Sequence, residues 1–332
     1  MSARDMDAEA AAAGIHRIPL PTPFAVGRMN SYLIDDEPLT LVDAGPNSGT
    51  SLEALHQGLR ELGRTVEDLE LLVISHQHID HLGLIGLVAA RSGAEVAALD
   101  VLAPFVDRYS EQTAADDKFA TQIMLSNGIP GDVVSALQSV SRAFRAWGAR
   151  ADVTRSLHEG ELLEFAHRSL RVHHRPGHSP TDTVFHDADR RMLVAADHLL
   201  PHISSNPLIT RPLDGSLERP HSLEIYLESL RQTRQMDLDV VLPGHGEPFT
   251  DHAELIDKRV RMHQRRADKL LALIAERPRT AYELAQALWG NIAVTQAYLT
   301  LSEVLGHTDL LCSEGRAAEI REGDVIRFEA VS

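Results

Sequence analysis

Apolar positions recur in two rhythms along the first hundred residues. Short runs at 15–20 (IHRIPL), 29–34 (MNSYLI) and 39–45 (LTLVDAG) are bounded by Pro, Gly or Asp, the usual punctuation of strands. Residues 50–63 instead space their apolar side chains as a helix does and end on Gly63. A strand at 70–75 (ELLVIS), a helix at 82–93 closed by Gly93 and a strand at 95–100 follow. This alternation predicts a layered α/β fold. Residues 103–150 break it and read as several helices. Strands return at 161–166, 169–178, 183–187 and 191–198, then a helix over 219–236 and a short strand at 239–246.

The pattern changes again past residue 250. Residues 254–276 predict one amphipathic helix, with Ile256, Val260, Ala267, Leu270, Leu271 and Ile274 near one face. Helices at 280–289 and near 295–305 and a hairpin turning at Gly323 suggest a small winged-helix-like module. The organisation expected is a disordered tail over 1–14, a main domain over 15–250 with a helical insertion at 103–150, and a C-terminal module over 251–332.

Composition narrows the function. The chain of 332 residues has a formal net charge of −16. That argues against a general polyanion-binding surface. Residues 276–332 hold five basic side chains against nine acidic ones, and 295–306 has no Lys or Arg, which argues against nucleic acid as the partner of the C-terminal module. The basic run 258–266 (KRVRMHQRR) reads as a solvated helix face, with contact to the phosphates of a coenzyme A-type substrate, through Arg265 and Arg266, as the alternative. Cys312 is the one cysteine, so neither an internal disulfide nor a cysteine-based metal site is available. The N-terminal stretch lacks the features of a signal peptide, and no apolar run approaches the ~20 residues of a membrane span. A cytoplasmic protein with no membrane partner is expected, and a homodimer stays open.

The chemistry is concentrated in 75-SHQHIDHLG-83, at the end of an apolar strand. His76 and His78 are two residues apart, so an extended backbone projects both to one side, toward one ion. Asp80 and His81 lie past the turn and can face a second. Imidazole and carboxylate are ligands that zinc and its neighbours prefer. Three further candidates stand at later strand ends: His178 in PGHSP, Asp197 closing MLVAAD and His245 in PGHGEP. Strand ends are the usual seat of a site in layered α/β proteins. His173, His174, His198, His202 and His221 read as surface or internally satisfied residues, with His198 and His202 near enough in sequence to Asp197 to reach a substrate.

HQHIDH, PGH, AAD and PGHG, in this order, resemble the metallo-β-lactamase superfamily of dinuclear metallohydrolases, of the hydroxyacylglutathione hydrolase type, over about residues 15–250. The resemblance implies an αββα sandwich with metals at one edge. It implies that His76, His78 and His178 hold the first metal, that Asp80, His81 and His245 hold the second, and that Asp197 bridges them. Ala196 departs from the glycine the family often places before the bridging aspartate. Asp43 is expected to orient a ligating histidine.

The cofactors expected are two divalent metal ions, zinc first, with iron or manganese as alternatives. A metal-activated water attacks the substrate, with Asp80 as the catalytic proton shuttle. The ligand set does not choose the bond. Phe105, Tyr109 and Met124 in the insertion, with His202, are candidates to wall an acyl pocket, although packing of the helices on the sandwich accounts for most of the insertion's aromatics. The expectation is a small-molecule acyl substrate, thioester before lactone, with phosphodiester or RNA cleavage third. A non-catalytic metal-binding regulator is the competing class. The missing secretion signal argues against β-lactam hydrolysis.

Overall fold

A computed structural model describes residues 2–331 apart from 214, 217 and 292–295. The predicted strands, together with a short one at 155–157 that the sequence pattern does not predict, pair into two sheets. The first runs in the order β1 (Ile15–Leu20), β2 (Met29–Ile34), β3 (Thr40–Val42), β4 (Leu71–Ile74), β5 (Glu95–Leu99) and β6 (Arg155–Leu157). Its β3–β6 half is parallel. Parallel neighbours need crossovers, which explains the helices α2 (Gly49–Glu61) and α4 (Ile85–Ser92) between these strands. The second sheet is ordered β11 (Val240–Pro243), β10 (Met192–Ala196), β9 (Thr183–Asp187), β8 (Ser169–His174) and β7 (Leu162–Glu164). Only its β10–β11 pair is parallel.

One apolar core joins the facing sides of the sheets, with Tyr32, Val42 and Val73 on the side turned to Leu170, Val172, Phe185, Val194 and Leu242. The outer face of the second sheet is covered by α8 (Ser222–Arg234), whose Leu223, Tyr226 and Leu230 pack with Val184, Leu193 and Val241. These layers are helix, sheet, sheet and helix. Polar bonds tie the sheets at one edge. Tyr32 donates its hydroxyl to Pro243 O at 2.7 Å, and the Asn30 amide donates to Pro243 O and Gly246 O.

The tail prediction is corrected. Ala3–Ala12 form α1, opened by a capping box between Ser2 and Asp5, with Met6 and Ala10 buried. Asp7 pairs with Arg17 of β1. Alanine favours a helix, and two anchored apolar residues give it a surface to rest on. The predicted helix over 82–93 starts later, as α4, and a separate short helix, α3 (Ile79–Leu82), precedes it. Between them Gly83 passes so close to Trp147 O and Asn47 N that a Cβ would lie 2.2 and 2.3 Å from them.

The insertion contains α5 (Ala103–Asp107), α6 (Tyr109–Ser126) and α7 (Gly131–Phe144). Beyond the sandwich come α9 (His252–Glu276), α10 (Ala281–Trp289), α11 (Ala297–Ser313) and a hairpin of β12 (Ala317–Glu322) and β13 (Val325–Ala330). Helix α11 runs past the predicted end near 305. The first predicted residue of that helix, 295, lies outside the described residues. Leu270, Leu284, Leu301, Val304 and Phe328 form a second core, which also takes in Met124 and Val134 of the insertion. Insertion and C-terminal helices therefore pack as one body.

Candidate metal centre

Strand β4 delivers the first ligand candidates. After Ile74 the chain bends at Gln77, and His78, the residue before α3, is extended (φ −73°, ψ 143°). Asp80 and His81 then lie on that short helix. Strands β10 and β11 are parallel neighbours, so Asp197 and His245 emerge side by side from their ends. The loop between β8 and β9 folds back on itself through Arg175 N–H to Asp182 O and Gly177 N–H to Ser179 O, and carries His178 inward. Thr183 N–H donates to Ser75 O at 3.0 Å, docking that loop on the β4 loop.

Seven residues converge. His76, His78, His178 and Asp197 bring ligand atoms within 4.8 Å of one another, and so do Asp80, His81 and His245. Within the first group, His76 Nε2 and His178 Nε2 are each 3.0 Å from His78 Nδ1. Asp197 stands between the groups. Its Oδ2 is 3.5 Å from both His178 Nε2 and His245 Nε2, and its Oδ1 is 3.4 Å from His81 Nε2. Asp80 Oδ2 lies 3.3 Å from His245 Nε2. His81 Nε2 and Asp197 Oδ1 are buried and make no hydrogen bond. Unsatisfied buried atoms are costly, and a cation between them would satisfy both. The residues therefore fit a metal site.

The outward nitrogens are held by specific acceptors. His81 Nδ1–H donates to Asp43 Oδ2 at 2.7 Å. The Ser75 hydroxyl donates to the same carboxylate at 2.6 Å and accepts from His76 Nδ1 at 2.9 Å. One aspartate thus orients two ligand candidates, one of them through Ser75. His178 Nδ1–H donates to Asn206 O and His245 Nδ1–H to Arg28 O. Each contact leaves Nε2 facing inward, which is how second-layer partners fix ligating imidazoles. The sequence singled out Asp43. It gave no sign of Ser75, or of the two backbone carbonyls, which have no residue signature.

Close packing explains two glycines of the motifs. A Cβ on Gly244 would sit 2.3 Å from Asp197 Oδ1, and one on Gly177 would sit 2.3 Å from Tyr226 Cβ. Ala196 adopts φ +43°, so its backbone is in the region that suits glycine.

Without metal the electrostatics are polarised. Burial and the neighbouring imidazoles drive His76 well below its ordinary pKa, and burial brings His78 down to about 3. Burial also opposes charge on His245, but Asp197 and Asp80 outweigh it and raise this imidazole to about 10. Asp197 and Asp43 likewise outweigh burial at His81 and hold it well above the usual range. Burial alone would raise Asp197, yet His245 and His81 keep it well below the usual carboxylate range. Burial pushes Asp182 up to about 6, while its Oδ2 accepts from Ser179 N–H beside His178.

The pocket candidates divide: His202 stands beside Gly246, next to His245, where a Cβ would lie 3.5 Å from its ring, and the other three are mostly buried. Phe105 is buried in the sandwich core and Met124 in the C-terminal core, so neither walls an open acyl pocket. Tyr109 is mostly buried, donates its hydroxyl to Arg145 O, and edges a cavity of about 290 Å³ beside Arg145 and Arg150. His202 is exposed. The phosphate-contact alternative for Arg266 is corrected too. Its guanidinium pairs with Glu303 and lies 5.7 Å from the centre of the Trp289 ring.

A four-layer sandwich with histidines and carboxylates gathered at one edge defines a class of metal-dependent hydrolases. A profile of the metallo-β-lactamase superfamily matches residues 26–245, and the chain belongs to that superfamily. A Bacillus subtilis protein named as a probable metallo-hydrolase, YqjP, is 32% identical over 315 residues, covering 95% of this chain and 97% of that protein. The crystal structure of a metallo-β-lactamase family protein from Thermus thermophilus superposes with a TM-score of 0.80 at 27% identity, covering 96% of this chain and 99% of that one. Both span the C-terminal helices as well as the sandwich. Human acyl-coenzyme A thioesterase MBLAC2 is 29% identical over 183 residues, covering 51% of this chain and 58% of that protein. No described helix is long and apolar enough to cross a membrane.

Proposed function

We propose that this metallohydrolase cleaves thioesters of small or medium acyl groups, with two zinc ions as cofactors. The observation that carries the substrate class is the partial similarity to an acyl-coenzyme A thioesterase. The convergent seven residues supply the chemistry. His76, His78 and His178 would hold one ion, and Asp80, His81 and His245 the other, with Asp197 shared between them. Bound zinc supplies Lewis acidity toward the acyl oxygen and ionises water near neutral pH.

The remaining roles belong to the chain. Asp43 and Ser75 fix the imidazole orientations. Asp80 brings a carboxylate oxygen to 3.3 Å from His245 Nε2, at the edge of the centre. There it is the candidate to accept a proton during attack and return it to the leaving thiolate. No serine or cysteine nucleophile is required.

The test is release of free thiol from acyl-coenzyme A and acylglutathione series of increasing chain length, run beside lactones and phosphodiesters with metal-loaded protein. Thiol release that varies with chain length supports the reading. Lactone opening without thiol release moves the assignment to lactones. No turnover on any panel, by protein shown to carry its metals, would favour a non-catalytic metal-binding regulator.

A further inference from the structure

A third group of ligand-type side chains lies apart from these seven. His263 of α9 and Glu303 and His307 of α11 bring ligand atoms within 4.8 Å of one another. All three residues are buried. Glu303 and His307 are four residues apart and share a helix face, and His263 meets them from the neighbouring helix.

Two geometric features set this group apart from an ordinary polar patch. The first is spacing. His263 Nδ1 is 3.2 Å from His307 Nε2. The imidazole pairs of the first metal group are 3.0 Å apart. Two nitrogens on one tetrahedral zinc at ~2.0–2.1 Å would be ~3.3 Å apart. The second is how the other polar atoms are held. His307 Nδ1–H donates to Glu303 O at 2.6 Å, which turns Nε2 and its lone pair toward His263. His263 Nε2 contacts the Ser204 hydroxyl at 3.2 Å, and Arg266 holds Glu303 Oε1. Outer contacts of this kind orient metal ligands. A carboxylate has acceptor sites enough for both an arginine and an ion. A neutral N–H···N hydrogen bond would account for the imidazole pair and the Arg266 ion pair for the carboxylate, each separately, whereas one ion accounts for the three together.

We propose that His263, Glu303 and His307 bind a third divalent ion, a structural zinc joining α9 to α11. Histidine and carboxylate are suitable zinc donors. The ion would also brace the loop after Asp197. Ser204 touches His263, and the adjacent Ser205 donates its hydroxyl to Asp197 O. The C-terminal helices would then be fastened to the loop that carries the shared carboxylate.

The experiment is elemental analysis of full-length protein, loaded with zinc and desalted, for wild type, His307→Gln and His263→Gln. The expected result is one zinc per chain fewer in each variant than in wild type, with the zinc of the hydrolytic centre retained. Equal zinc content in all three would overturn the proposal. Should the variants not fold, anomalous scattering at the zinc edge from wild-type crystals decides. A peak between α9 and α11 is expected, and peaks at the hydrolytic centre with none between these helices would overturn it. Neither readout uses turnover, so a failed thioesterase assignment leaves this test intact.

Discussion

Asp43 shows how much of the centre depends on a side chain outside the ligand set. Its carboxylate accepts from His81 directly and from Ser75, which in turn holds His76. Asp43→Asn keeps the size but weakens acceptance from both. The expected outcome is a protein that folds and binds metal about 10–100-fold more weakly, read by competition against a chelator. Wild-type affinity in this variant would remove the orienting role. The seven convergent residues were legible in the sequence because each stands where an apolar run ends beside Gly, Pro or a neighbouring ligand type. Ser75, Arg28 O and Asn206 O were not, since a hydroxyl and two carbonyls acquire their roles only from tertiary placement. His263 and His307 were hidden for the same reason, being lone histidines 44 residues apart on two helices.

Helix α11 links several parts of the molecule. It packs against α8, α9 and α10. Its Asp309 accepts both guanidinium nitrogens of Arg219, which lies on the segment leading into α8. Asp309 is buried and Arg219 nearly so. Asp309→Ala leaves an arginine without its counter-charge, so a loss of about 3 kcal/mol is expected in chemical denaturation. An unchanged midpoint would show that Arg219 finds water instead. Apolar periodicity predicted most elements to within a few residues, and its misses have local causes. The tail is acidic and alanine-rich, and that composition does not distinguish a solvated segment from a docked helix. Burial of Met6 and Ala10 decided the matter. The three-residue strand β6 is too short to show a period. The pocket expectation for Phe105 and Met124 failed because apolar side chains that can line a pocket can equally fill a core.

Across the whole molecule the acid side is the vulnerable one, for two reasons. The first concerns metal. His81 and His245 are held protonated without it, so loading must displace protons, and affinity should fall as pH drops. Calorimetry in buffers of different ionisation enthalpy should show release of about two protons at neutral pH. Proton-neutral binding would contradict the polarised site. The second concerns stability. Burial lowers His198 to about 3, against 6.5 for a free imidazole. Between those values the unfolded chain binds the extra proton. Stability from this residue is therefore complete above pH 6.5 and declines as pH falls toward 3. His198→Asn should flatten the dependence of unfolding free energy on pH in that window by up to about 1.4 kcal/mol per unit. Unaltered slopes would mean that His198 is not buried in its neutral form.

The central claim is that these strand ends assemble one hydrolytic metal centre. The measurement that bears on it most directly is thiol release from an acyl-coenzyme A by wild type and His178→Ala, with zinc content determined on the same samples. Loss of zinc from the variant is predicted, with turnover down by more than the ~100-fold that losing an outer-layer partner costs. Equal turnover in the two proteins would contradict the assignment of His178, and with it the centre described.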